Sequence, residues 1–278
     1  LPDSGQGQTI LIKFGGNAMK NSEIQENVID NICELKRGGY KIILVHGGGP
    51  AIKETLEMAG IESEFVGGHR KTTDESIGYV EMALKGRVNG ELVRMINSKG
   101  ERAVGLSGKD GSTVRALKRE HFDESGDDKK KVDLGLVGDV EIINTDLIWI
   151  LASSGYIPVI APIAYGEDFS DYNVNADMFA GHMASAMKAD HYVVLTDVDG
   201  LMRDKDDPAT LIEEMSAADV RNEIGKVVQG GMIPKTESCI AAIEGGCERA
   251  YIVNGTTENI LLRLFSDEKI KRTIIKKK

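Results

Sequence analysis

The sequence predicts an α/β fold built on a mainly parallel sheet. Short β-branched strands alternate with helix-patterned segments along most of the chain, glycine turns follow several strands, and neither an internal repeat nor a Pro/Ser-rich linker interrupts the pattern. A chain of 278 residues is long enough for one large domain or two lobes.

Thr9 to Phe14 reads as the first strand, and a glycine turn follows. Ser22 to Lys36 reads as a helix, with Ile24, Val28, Ile32 and Leu35 on one face, Ser22 and Gln25 as a capping box, and Gly38-Gly39 as its stop. Ile42 to Val45 is the next strand, ending at His46-Gly47-Gly48-Gly49, and Pro50 suits the first turn of the helix after it. Thr72 and Glu75 suggest a capping box opening a long helix from Asp74 to about Asn97, with Gly86 and Gly90 as points of bending. Ala103 to Leu106 is a strand. Thr113 to Leu117 and Leu134 to Val140 read as a β-hairpin excursion whose tip, Glu124 to Lys131, is charged and solvated. Alternation then resumes: helix Thr145 to Ser154, strand Ile157 to Ala161, helix Asn175 to Lys188 and strand His191 to Thr196. Helices over Met215 to Ile224 and Pro234 to Gly245, strand Arg249 to Val253 and helix Glu258 to Phe265 complete the reading. A lobe boundary is expected between Ala161 and Asp171, dividing 1–170 from 171–278.

The net charge of -10 argues against nucleic acid or an anionic membrane as general partners, so an anionic ligand needs a local positive site. Three cysteines without a C-x-x-C pair favour neither a disulfide framework nor a zinc cluster, and Cys33 reads as a small buried residue. No apolar run approaches the roughly 18 residues that span a membrane. Leu1 to Gln8 is too short and polar for a signal peptide, and the expected location is a reducing cytoplasm.

Three glycine turns, Gly15-Gly16, Gly47-Gly48-Gly49 and Gly105 to Gly108, can each bring backbone N–H groups to a phosphate or carboxylate. Neither a Walker loop nor a dinucleotide fingerprint is present: Gly108-Lys109 is followed by Asp110, and the run from Gly47 reaches Ile52 where a glycine is required. Lys13 is the single charge in Ile10 to Phe14, and a charge inside a buried strand implies a partner. Lys235 sits near a helix start, where the dipole favours anions rather than cations. Arg70 could grip a carboxylate with both arms. Asn173 and Asp177 open a helix beside the strand that ends at Thr196-Asp197-Val198-Asp199-Gly200. No histidine has partners at metal-ligand spacing, and no metal-binding residue is expected. Together these features point to phosphoryl transfer, although each alone has a plain structural reading.

Five stretches carry a resemblance: Ile12-Lys13-Phe14-Gly15-Gly16-Asn17-Ala18-Met19, Val45-His46-Gly47-Gly48-Gly49-Pro50, Gly105 to Gly111, Asn173-Val174-Asn175-Ala176-Asp177 and Gly230 to Lys235. In this order, over almost the whole length, the chain resembles the amino acid kinase family. Asn17-Ala18-Met19 looks like the run in members acting on N-acetyl-L-glutamate rather than that in aspartate kinases, where a Thr-Ser pair is usual. The resemblance implies a three-layer αβα sandwich with substrate and dimerisation in the N-terminal lobe and ATP in the C-terminal lobe. It implies phosphorylation of the side-chain carboxylate of N-acetyl-L-glutamate, the second step of arginine biosynthesis. Lys13 and Lys235 would stabilise the transferring group and Asp177 would orient them. Gly15, Gly16, Gly48 and Gly49 would offer N–H groups to phosphate oxygens, with Gly48 and Gly49 also bordering the substrate held by Arg70 and Asn173. Thr196, Asp197, Asp199, Gly200, Leu201, Gly231 and Met232 would border the nucleotide, and Mg2+ would arrive on the phosphates of ATP.

Lys71-Thr72-Thr73 departs from the family's frequent Val-Thr-Asp run, and Lys269 to Thr273 lacks its usual glycine. The eight residues before Thr9 are too few for the extra helix of arginine-inhibited hexamers, so an arginine-insensitive homodimer is expected. A PII-type regulator is compatible but not indicated. The alternatives are a kinase of the same fold acting on carrier-linked aminoadipate or glutamate, against which the net acidity weighs, and a non-catalytic amino-acid or nucleotide sensor, against which Lys13, Asp177 and Lys235 together argue.

Overall fold

The computed structural model describes residues 6–19, 21–123, 130–204, 206–266 and 268–277. It opens with β1 (Thr9–Phe14), a 3-10 turn (Gly16–Met19), α1 (Ser22–Arg37), β2 (Lys41–His46) and α2 (Gly49–Met58). A small hairpin of β3 (Phe65–Val66) and β4 (His69–Arg70) leads into α3 (Asp74–Glu81), a π-helical stretch (Met82–Asn89) and α4 (Gly90–Ser98). Next come β5 (Ala103–Ser107), β6 (Val114–Lys118), β7 (His121–Asp123), β8 (Lys130–Val132), β9 (Val137–Ile143), α5 (Asp146–Ser153), β10 (Ile157–Ala161), β11 (Ile163–Tyr165) and β12 (Asp171–Val174). The chain finishes with α6 (Ala176–Met187), β13 (His191–Thr196), β14 (Glu214–Ser216), α7 (Ala217–Glu223), α8 (Met232–Glu244), β15 (Arg249–Asn254), α9 (Ile260–Leu264) and β16 (Thr273–Lys276).

The central sheet runs β14-β16-β15-β13-β1-β2-β10-β5, with every pairing parallel except β16 against β15. Its strands are buried on both faces, which is why they read as continuous apolar runs. Leu11, Ile43, Val45 and Val194 pack with α6, α7 and α8 on one face. Ile10, Ile12, Phe14, Leu44 and Val193 pack with α1, α4 and α9 on the other. The result is the expected three-layer αβα sandwich. The chain leaves β1 toward β2 and later crosses to β13 on the opposite side. That reversal opens a crevice at the carboxyl end of β1, where open α/β sheets bind ligands.

Several local expectations change. The cap of α1 is Asn21, whose side chain accepts from the N–H groups of Glu23 and Ile24; the Gln25 side chain instead donates to the Met19 carbonyl. The capping box before α3 is Thr73 with Ser76, one residue beyond the expected pair. The long helix continues to Ser98 but widens into a π stretch around Gly86. Met215 belongs to β14, and α7 starts at Ala217. The excursion over β6 and β9 is more than a hairpin: β11 and β12 close it into a four-stranded barrel, and β7 and β8, between β6 and β9 in the chain, pair as a separate two-stranded ribbon. The charged tip lies largely outside the described residues. The expected lobe boundary falls in the turn between β11 and β12, and β16 was not anticipated.

Candidate active site

Lys13 projects from the carboxyl end of β1 and is 4% exposed. Its partner comes from α6, whose cap Asn175 accepts the N–H groups of Asp177 and Met178 at 2.9 and 3.2 Å, fixing Asp177 in the first turn. The Lys13 ammonium lies 2.9 Å from Asp177 Oδ1, and Lys235, from the first turns of α8, donates to Oδ2 at 3.1 Å. One carboxylate therefore holds two cations, and the cluster keeps one net positive charge. Burial lowers the Lys13 pKa, opposed by the attraction of Asp177 and assisted by Lys235. Burial would raise the Asp177 carboxyl, but Lys13 and Lys235 outweigh it and hold the group below its ordinary range.

The glycine turns give this cluster its room. A Cβ on Gly15 would stand 2.8 Å from the Lys13 ammonium. Gly16 takes a left-handed φ of 67°, where glycine carries no side-chain strain. Gly47 donates to the Phe14 carbonyl at 2.8 Å, locking the second turn beside the first, and Gly48 and Gly49 begin α2. Gly48 and Gly49 thus present a helix N-terminus to the crevice.

Lys13, Asp177, Gly16, Gly48 and Gly49 line a cavity of about 320 Å³ together with Arg70, Asn173 and an apolar wall that includes Phe65, Leu84 and Val137. The Arg70 guanidinium lies 4.5 Å over the Phe65 ring, and its two arms reach the Ser63 hydroxyl and the Gly49 carbonyl. Asn173 donates to the Thr72 hydroxyl at 3.1 Å, while that hydroxyl donates to the Arg70 carbonyl at 3.0 Å. Fully buried Thr72 therefore ties Arg70 to Asn173. In the sequence Thr72 offers a capping box with Glu75 and a departure from the family pattern, and neither points to this role.

A second cavity, of about 460 Å³, lies between the segment after β13 and the segment before α8. Gly200, Leu201 and Met232 line it with Val198, which belongs to the Thr196 to Leu201 stretch, joined by Met202, Arg203 and residues 226–229, which the sequence did not single out. Thr196, Asp197, Asp199 and Gly231 do not belong to its wall. Thr196 is buried at the end of β13, beside Asp197. Asp199 accepts from Asn254 at 3.0 Å and pairs with Lys271 at 3.3 Å, so it fastens this segment to β15 and the C-terminal chain. Gly231 immediately precedes α8.

The third glycine turn joins neither cavity. Gly105 lies inside β5 and Gly108 packs against the Ile163 carbonyl, while Asp110 accepts from the Ser107 N–H and hydroxyl. Lys109, the residue that superficially suggested a phosphate loop, pairs at 2.9 Å with both Glu81 and Asp171. Two buried hydroxyls not anticipated from sequence support the charged cluster. Tyr192 lies 3.0 Å from the Ser238 hydroxyl and 3.3 Å from the Asp177 carbonyl, and Ser238 donates to the Lys235 carbonyl at 2.7 Å.

Residues 8–254 match the model of the amino acid kinase family. The chain is 42% identical over 272 residues to the acetylglutamate kinase of Symbiobacterium thermophilum, covering 97% of this chain and 92% of that one. It is 43% identical over 264 residues to the acetylglutamate kinase of Archaeoglobus fulgidus, covering 94% and 91%. Among solved structures, the N-acetylglutamate synthase of Neisseria gonorrhoeae in complex with coenzyme A and N-acetyl-glutamate matches with a TM-score of 0.82 at 22% identity. The match covers 99% of this chain but 61% of that longer protein. The carbamate kinase of Giardia lamblia bound to AMP-PNP matches with a TM-score of 0.68 at 16% identity, covering 97% and 99%. These two structural likenesses concern the fold alone.

Proposed function

The chain belongs to the amino acid kinase family, and on that premise we propose that it transfers the γ-phosphoryl group of ATP to the side-chain carboxylate of N-acetyl-L-glutamate, a step of arginine biosynthesis. The observation that carries the reading is the Asp177 carboxylate gripping Lys13 and Lys235 at the mouth of the β1 crevice. Phosphoryl transfer asks a protein for alignment and charge stabilisation rather than covalent chemistry. A carboxylate acceptor, with a reference pKa of about 4.3, is already ionised at neutral pH, so no general base is required.

In this reading N-acetyl-L-glutamate occupies the 320 Å³ cavity, with Arg70 and Asn173 on its α-carboxylate and neighbouring polar atoms. The nucleotide occupies the 460 Å³ cavity and borders the segment from Thr196 to Leu201 and the residues before α8. Lys13 and Lys235 take up charge on the transferring group, and Asp177 keeps both ammonium groups in place. The N–H groups of the Gly15-Gly16 and Gly48-Gly49 turns suit phosphate oxygens. Mg2+, entering on the nucleotide, supplies further neutralisation of its phosphates. Residues 1–170 form the substrate lobe and 171–278 the ATP lobe, and the enzyme works as a cytoplasmic homodimer. Light scattering tests the last point: a mass near 30.1 kDa, rather than twice that, removes the dimer.

A coupled assay of ADP release with ATP and N-acetyl-L-glutamate, glutamate or aspartate tests the reaction. Turnover with N-acetyl-L-glutamate well above the other two is expected. No acyl phosphate from it, at any enzyme concentration, would reject the assignment.

A further inference from the structure

A buried polar chain outside the charged cluster ends on the second glycine turn. His46, the last residue of β2, is fully buried. Its Nδ1 lies 2.8 Å from the Gly47 carbonyl oxygen and its Nε2 lies 3.0 Å from Asn89 Nδ2. Asn89 Nδ2 also donates to the Val159 carbonyl at 2.9 Å and approaches that of Leu106 at 3.4 Å. The Val159 carbonyl takes one N–H at 2.9 Å and fixes which way the amide points, so the other N–H faces the His46 ring at 3.0 Å, closer than the Leu106 carbonyl. Nε2 must then be bare, and the ring proton sits on Nδ1, where it donates to Gly47. Burial keeps the ring neutral, pushing its pKa down to about 4 against the opposing hydrogen bond to the Gly47 carbonyl.

This bond fixes a peptide plane. In a trans peptide the carbonyl and the following N–H point in opposite directions. With the Gly47 carbonyl drawn toward His46, the Gly48 N–H points away from that ring, and Gly48 lines the 320 Å³ cavity. Among the described residues, no acceptor takes that N–H. Gly105 makes the arrangement possible from the far side, since a Cβ there would stand 2.0 Å from Asn89 Oδ1. Asn89 itself closes the π-helical stretch, and such distortions recur at functional sites.

We propose that His46 and Asn89 are positioning residues for the reaction. The Val159 carbonyl orients Asn89, Asn89 sets the His46 tautomer, and His46 turns the Gly47–Gly48 peptide so that its N–H meets an anionic oxygen in the cavity. The identity of that oxygen, on the transferring phosphoryl group, rests on the kinase reading above. A donor held in advance of the reaction incurs no reorganisation when charge develops.

Two measurements test this. In the intact, unsubstituted protein, 15N NMR of the His46 ring should show a protonated Nδ1 and a bare Nε2, unchanged from about pH 8 to about pH 5.5. The opposite tautomer, or titration in that interval, overturns the proposal. His46→Ala should then lower kcat about tenfold or more, with KM for both substrates changed less than about threefold. His46→Asn, whose amide N–H stands near the position of Nδ1, should recover most of that loss. A kcat for His46→Ala within about threefold of the parent, or equal kinetic losses in the Ala and Asn variants, overturns it. If the parent does not phosphorylate N-acetyl-L-glutamate, the kinase reading falls, and the tautomer measurement alone decides whether the peptide is held in this way.

Discussion

The Lys13 ammonium lies 2.9 Å from Asp177 Oδ1, with both side chains less than a tenth exposed, and the opposite carboxylate oxygen holds Lys235. Breaking a buried pair by removing one partner leaves an uncompensated charge, at a cost of about 3–5 kcal/mol when that charge persists. Lys13 can avoid part of this by losing its proton, because burial already lowers its pKa and Asp177 is the main influence raising it. Asp177→Asn should therefore reduce kcat about a hundredfold or more at neutral pH. The residual activity should rise as pH falls and Lys13 regains its proton. A kcat–pH profile measures this, and a variant profile parallel to the parent's would contradict it.

Gly15 separates a catalytic effect from a folding effect. A methyl group there would stand 2.8 Å from the Lys13 Nζ. The end of a lysine normally moves aside easily, but here Asp177 holds it. Gly15→Ala should leave the thermal midpoint within a few degrees of the parent, about 1 kcal/mol or less. It should lower kcat about tenfold or more by displacing the ammonium. Calorimetry with steady-state kinetics on one preparation checks both halves.

Much of this arrangement was legible in the sequence because its causes are local. Lys13 stands out as a charge in an apolar strand, and Asn175 with Asp177 reads as a helix start. The glycine turns follow strands that β-branched residues announce. What the sequence hid depends on tertiary contact. Gly105 resembles the glycines of the two site turns, yet it serves to clear Asn89, sixteen residues earlier and on a different element. Asp199, which the resemblance puts beside the nucleotide, also fastens to Asn254 and Lys271, far along the chain. Tyr192 and Ser238 carry no motif, and Thr72 reads only as half of a capping box; their hydroxyls acquire meaning once the backbones they bond are brought together.

Arg70 is held ready by Ser63, the Gly49 carbonyl and the Phe65 ring, so its planar fork is fixed in advance. Arg70→Lys keeps the charge but loses the second arm and the stacking geometry. KM for N-acetyl-L-glutamate should rise about tenfold, equivalent to about 1.4 kcal/mol, with the KM for ATP nearly constant. Saturation curves for each substrate decide it: equal increases in both would remove Arg70 from the amino-acid side.

Gly181 lets α6 pack tightly against α8 at Ser238. A Cβ there would stand 2.3 Å from the Ser238 carbonyl oxygen, which is backbone and has little freedom to yield. Gly181→Ala should destabilise the fold by about 1–3 kcal/mol through overpacking, despite the better helix propensity of alanine. Because Asp177 rides on α6 and Lys235 on α8, activity should fall with it. Chemical denaturation gives the stability, and an unchanged or higher midpoint would show that the helices can separate freely.

Two buried histidines should weaken the fold as the solution is acidified. Burial drives His46 from its ordinary 6.5 to about 4, against the opposing Gly47 hydrogen bond. Burial likewise drives His191 to about 4, with Asp190 opposing and Arg249 assisting. Between these values and 6.5 the unfolded chain binds protons that the folded chain refuses, so stability rises with pH across the window and is lost as pH falls through it. Each ring can contribute up to about 3 kcal/mol to that loss, and together they give a slope approaching about 2.7 kcal/mol per pH unit. The depressed Asp177 carboxyl acts in the same sense but at lower pH, since its contribution is present above the unfolded carboxyl pKa and disappears only as pH falls through the folded one. Urea denaturation from pH 7 to pH 4 should show the steepest loss below about pH 6. His191→Gln, which has no proton to bind, should reduce that slope by about half while leaving the neutral-pH kinetics near those of the parent, because His191 contacts Gln8 and Tyr251 rather than the crevice. A parent whose stability is level across this window would show that one or both rings take up protons without unfolding.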